Sequence, residues 1–283
     1  MWFHKKKKIE SVLSLTINNL DEKQKRFAFR LLLLLLAHQI TPFEFQAQML
    51  TKLGYKPKRK NELEKHFFII VAENMSILFK VIGNEIILDY DFTENPFPNI
   101  AKYTPTFTRN FTIDTNITAR QFADCLDYLR EFNNTECDVN SPESLQQAHE
   151  LRLHLLAKIA ETLYKTDFET AKKLPFEVLF AVQMWFVGIS AFFHKHPTYS
   201  ILFQKTGENE SENTKISLGM SETLLHLQKE GYGNAPEMNI VDFFNAQIKS
   251  LKDNIADAIA KGAKIADLAV SMKLDTGIIS RLL

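Results

Sequence analysis

Glycine and proline are both scarce in this chain of 283 residues, nine of each, which argues against a fold of many short strands and tight turns. The same scarcity removes the glycine-rich turns that phosphate-cradling loops, dinucleotide fingerprints and nucleophile elbows require, and none of those patterns occurs. Two cysteines, Cys125 and Cys137, are too few for a disulfide framework and read as reduced thiols of a cytoplasmic protein. Net charge is missing as well. The 34 lysines and arginines balance 34 aspartates and glutamates, so no overall field draws the molecule to nucleic acid, anionic membrane or acidic substrate.

What is abundant is phenylalanine, 23 residues in a chain that is 45% hydrophobic and 24% charged. Large packing side chains with few turn formers favour long helices around a substantial core. The opening MWFHKKKKIESVLSL sets four lysines before an apolar run broken by Glu10, Ser11 and Ser14. No small-residue cleavage site follows, so it reads as a solvated basic arm and not as a signal peptide. Glycosylation sequons at Asn110, Asn116 and Asn133 mean little without a secretory signal.

Along the chain, residues 21–39 combine good helix formers with an acidic first turn and six consecutive leucines, which predicts a central helix apolar on more than one face. Thr41-Pro42-Phe43-Glu44 is a capping box opening a second helix to about Leu53, antiparallel to the first. After the basic connection 56–60, residues 66–72 and 77–91 are rich in isoleucine, valine and phenylalanine and predict a small antiparallel sheet. Its clearest part is a hairpin turning at Gly83-Asn84. Threonines alternate with aromatics over 103–114, as in a strand or an extended arm.

Further helices are predicted from the Thr118/Gln121 capping box to about Phe132, from Ser141-Pro142 to about Tyr164, over 221–229 and over 239–260, with a polar linker at 207–215. Residues 176–193 carry no charge after Glu177 but are shorter than the roughly 20 apolar residues a membrane span needs. With Gln183 in its middle, this segment reads as a buried helix, stopped by His194-Lys195-His196-Pro197.

No nucleophile, base and anion-stabilising group share a motif. His149 and His154 are five residues apart, which does not place them on one helical face for zinc. His194 and His196, just past a helix end, read as partners for carbonyls there. Asp89, Asp91 and Glu94 lack the spacing and glycine of a calcium loop and read as a solvated hairpin edge. The expectation is a non-enzymatic protein with no metal and no cofactor.

The last twenty residues, KIADLAVSMKLDTGIISRLL, have the apolar spacing of two short packed helices. They resemble helix-turn-helix units of repressors and recombinases, with Leu268 and Ala269 in the first helix and Met272, Leu274, Ile279 and Leu282 at the other core positions. That resemblance implies a DNA-contacting face of Lys273, Thr276, Ser280 and Arg281, with Gly277 also turned outward. A plain amphipathic hairpin shows the same spacing, and then Ile265, Leu268, Met272, Ile279 and Leu282 form a docking face for a partner helix or another copy.

More broadly, the stretch VQMWFVGISAFFHKHPTYSILF and the short helical tail are similar in character to small structural or tail-assembly proteins of phages and prophages. The similarity implies an assembly protein, cytoplasmic or virion-associated, with a protein partner or self-association and no membrane; no functional residue carries over from it. The fold class expected is α+β, predominantly α. An N-terminal helix pair with the β-hairpin would occupy 1–100, an extended arm 101–115, a helical core 116–205, and a linker with C-terminal helices 206–283. Two functions stay open, the assembly protein and a DNA-binding regulator using the terminal segment.

Overall fold

The computed structural model of the protein describes residues 15–57, 61–83, 85–89, 94–98, 117–203, 220, 224, 227–229, 233–272, 274 and 276–283. Among these the chain is predominantly helical, with one two-stranded antiparallel sheet. The arm expected over 103–114, the linker 207–215 and much of the helix expected over 221–229 lie outside the described residues.

Helix α1 (Glu22–Leu36) opens on Asp21, whose carboxylate accepts from the Gln24 amide at 2.8 Å, while the Gln24 side chain accepts from the Asp21 amide. Ala28, Leu31, Leu32 and Leu35 recur at helical spacing and are buried; Leu36, the last of the leucine run, is exposed. Helix α2 (Pro42–Lys52) begins at the Thr41/Glu44 box, with Pro42 in the first turn where no amide partner is needed. The two Thr41 hydrogen bonds hold the Glu44 carboxyl below the usual carboxylate range. Gly54, at φ +89°, ends α2 in the left-handed conformation and lets the Tyr55 amide reach the Leu50 carbonyl at 2.9 Å.

Residues 66–72, expected as a strand, are helical and belong to α3 (Glu62–Asn74). The cap decides the matter. Asn61 Oδ1 accepts from the Glu64 amide at 3.2 Å, and Glu62 and Glu64 complement the helix N-terminus. Phe68, Val71, Ala72 and Met75 then make an inward stripe of helical period that outweighs the β-propensity of the isoleucines and valine. Gln46 of α2 donates to the Met75 carbonyl at 2.7 Å and fixes the exit of the chain.

Strands β1 (Phe79–Ile82) and β2 (Glu85–Leu88) pair Phe79 with Leu88 and Ile82 with Glu85. The two-residue turn needs the positive φ of Gly83, +63°. Phe79 anchors the hairpin edge-on against Phe45 of α2, with ring centroids 4.9 Å apart. Further on, Asn95 is buried, and its Oδ1 accepts from the Phe97 amide at 2.9 Å and lies 3.1 Å from the Tyr164 hydroxyl.

Helix α4 (Ala119–Asn133) starts at the Thr118/Gln121 box. Gln121 has a second role: its amide nitrogen donates to the Thr162 carbonyl at 2.7 Å and ties α4 to α5 (Pro142–Tyr164). Lys165 closes α5 in the left-handed conformation, and a short helix α6 (Phe168–Lys172), capped by Asp167, precedes α7 (Phe176–Lys195). By length and composition α7 could cross a membrane, yet 61% of its most apolar window is buried within the protein, where it packs on α1 and α5. Gln183 Oε1 is buried there without a hydrogen-bond partner among the described residues, so Gln183→Met should raise the unfolding free energy by about 1 kcal/mol in urea titration. A destabilised variant would show that the amide is satisfied in solution.

Helix α8 (Ile240–Ala260) is joined at its start to the start of α4, the Ala119 amide donating to Met238 and the Ile240 amide to Ile117. Helices α9 (Ile265–Met272) and α10 (Thr276–Leu282) follow. Phe122 of α4 links the layers, with rings of Phe186, Phe193 and Phe244 at 5.3, 5.7 and 5.8 Å. Buried side chains from Ile17 to Leu282 form one continuous core.

Candidate interaction surfaces

The terminal helices α9 and α10 pack on each other, and α9 also touches α8. Helices of eight and seven residues hold only by burying their apolar stripe. Accordingly Leu268, Ile279 and Leu282 are buried, Met272 is half-buried, and Ile265 is exposed. This corrects the docking face expected from those five residues, because three of them are occupied by the chain's own core. Thr276, Gly277 and Ser280 are exposed, and Ser280 Oγ donates to the Thr276 carbonyl at 3.0 Å. Lys273 and the Arg281 side chain lie outside the described residues.

Another group of exposed apolar side chains sits on α3 and the hairpin after it. One face of α3 carries Leu63, Phe67 and Ile70, spaced i, i+4 and i+7 and 76%, 44% and 43% exposed; Ile69, on a different side of the helix, is exposed as well. The hairpin that follows exposes Val81, Ile82 and Ile87. The helical period over 63–70 and the Asn61/Glu64 cap are the sequence signals for this face, and both are hidden when the segment is read as a strand.

An open cleft of about 460 Å³ is lined by Phe27 of α1, by Gln48, Thr51 and Lys52 of α2, and by Phe68 on the inward stripe of α3. The Lys52 ammonium lies 5.3 Å from the centroid of the Phe27 ring.

Among the described residues, the histidines singled out in the sequence meet separate partners. His149 lies against Phe176 and His154 against Phe168. His194 meets the Ser190 carbonyl at 2.8 Å and stacks on Phe203, and His196 Nδ1 accepts from the Thr198 amide. Among the described residues no three histidines, cysteines, aspartates or glutamates are grouped to hold a metal ion; Asp91 lies outside them. Burial pushes the Cys125 thiol up, away from the reactive thiolate form, and Cys137 is also unbridged. Burial likewise raises the Asp124 carboxyl and the Tyr128 hydroxyl on α4. Comparison with known protein families, curated proteins and solved structures finds no match for this chain.

Proposed function

We propose that this is a non-enzymatic assembly or interaction protein that docks a protein partner, or a second copy of itself, through the apolar face of α3 and the neighbouring hairpin. The observation that carries the reading is the exposure of Leu63, Phe67 and Ile70 along one helical face. Burying such a face against a partner is favourable at about 25 cal/mol per Å², and anchors at i, i+4 and i+7 are the usual way a helix is recognised. The similarity in character to phage and prophage assembly proteins favours such an origin, with a cytoplasmic or virion-associated location.

The test compares the wild-type chain with Leu63→Ser/Phe67→Ser/Ile70→Ser by light scattering and by co-purification from the native host. The expected result is an oligomer or a defined partner in the wild type and its loss in the variant, with the circular dichroism spectrum unchanged. A strict monomer that retains no partner would remove the proposal. The rival use of Thr276 and Ser280 on DNA is read by fluorescence anisotropy on duplexes at low salt. Salt-dependent binding abolished by Lys273→Ala with Arg281→Ala would replace docking by DNA regulation.

A further inference from the structure

We infer that the exposed face of α3 pairs with the same face of a second copy of this chain, antiparallel across a two-fold axis. The inference rests on the interaction reading above and commits it to one occupant. Leu63, Phe67, Ile70 and Asn74 are all exposed, and their steps of four, three and four residues are those of a coiled-coil seam. One flank of that seam carries His66 and Glu73, both exposed. Two helical turns, about 10 Å, separate them, so they do not reach each other within one chain. Neither makes an ion pair among the described residues, whereas the neighbouring Lys65 is taken up by Glu62 at 2.6 Å.

The order of these residues selects the direction of the second helix. In an antiparallel pair Phe67 lies against the partner's Ile70 and Leu63 against the partner's Asn74, and like flanks face each other. His66 then meets the partner's Glu73, and the two-fold repeats the contact, so a face with one imidazole and one carboxylate complements itself. In a parallel pair unlike flanks would meet. His66 would then face the partner's Val71, which is buried in its own chain, and Glu73 would gain no basic neighbour. Asn74 does not tie a parallel pair together either, because its amide donates to the Ile70 carbonyl of its own helix at 2.7 Å. Four seam residues a side bury less than the roughly 800 Å² per partner of a standard interface, so the dimer is weak and depends on concentration.

The experiment uses the full chain with Cys137→Ser, which leaves only the buried Cys125. Under mild oxidation Leu63→Cys with Asn74→Cys should give a covalent dimer, as should a mixture of the two single variants, while Leu63→Cys alone should not. A covalent dimer from Leu63→Cys alone would show a parallel pair and overturn the inference, as would no covalent dimer from the double variant. Sedimentation over a concentration series reads the flank in chains without added cysteine. His66→Glu should weaken the wild-type dimer by about tenfold, since it sets two carboxylates against each other at each contact. Adding Glu73→Lys to the same chain should restore the dimer to within about threefold of the wild type. A His66→Glu chain that dimerises as the wild type does, or a double variant as weak as the single one, would overturn the inference. A wild-type chain that is monomeric alone but retains a different protein through Leu63, Phe67 and Ile70 would overturn it and leave the docking reading standing. A chain with neither dimer nor partner would remove both.

Discussion

Replacing Phe122 by alanine should lower the unfolding free energy by about 3–5 kcal/mol, a large share of the total stability of an ordinary domain. The side chain is fully buried, and its ring meets Phe186 and Phe193 of α7 and Phe244 of α8. Truncation removes the transfer energy of the ring, opens a cavity that these helices cannot easily collapse into, and cancels three ring contacts. Urea titration followed by circular dichroism measures the loss, and the fluorescence of buried Trp185, on α7, should follow the same transition. A double-mutant cycle with Phe244→Leu should return a coupling of about 0.5–1.5 kcal/mol. A loss under about 1 kcal/mol would mean that the three rings do not close on Phe122 in solution.

The second expected effect concerns Tyr164, at the end of α5, whose hydroxyl lies 3.1 Å from Asn95 Oδ1 and 3.2 Å from the Phe97 carbonyl. Tyr164→Phe keeps the ring but leaves the Phe97 carbonyl short of a buried donor, which should cost about 1–2 kcal/mol. Hydrogen exchange at the Phe97 amide should quicken, since its acceptor Asn95 is held by the same hydroxyl. The pH dependence has a definite sign. Burial raises the Tyr164 hydroxyl above its ordinary value of 10.0. Below that pH both folded and unfolded chains keep the proton, and the contribution is fully present. Above it the unfolded chain sheds a proton that the folded chain retains, so stability falls by up to about 1.4 kcal/mol per pH unit. The slope above pH 10 should therefore be shallower in Tyr164→Phe than in the wild type. Parallel slopes would show that the hydroxyl titrates as freely in the folded chain as in the unfolded one.

What could be read from the sequence follows the range of the forces involved. The capping boxes at Thr41/Glu44 and Thr118/Gln121 are contacts between residues three apart, so residue order alone places the starts of α2 and α4. The hairpin turn at Gly83 and the uncharged interior of α7 are equally local. Residues 66–72 misled because isoleucine, valine and phenylalanine favour strands where nothing else intervenes. Here the Asn61 cap and the stripe from Phe68 to Met75 intervened. The terminal helices show the converse limit. Their apolar period is plain in the sequence, but whether Leu268, Ile279 and Leu282 face a partner or the chain's own core depends on how the rest of the molecule packs.

The sequence by itself thus determined the helical class, most helix starts and the hairpin, because each depends on hydrogen bonds and steric preferences spanning a few residues. Tertiary structure alone decided which apolar stripes were satisfied and which were left over. It buried the terminal stripe and exposed the outer face of α3. It also brought Phe27, Lys52 and Phe68 to one cleft and Asn95 to Tyr164, pairings across many residues that only the competition for a single core can select.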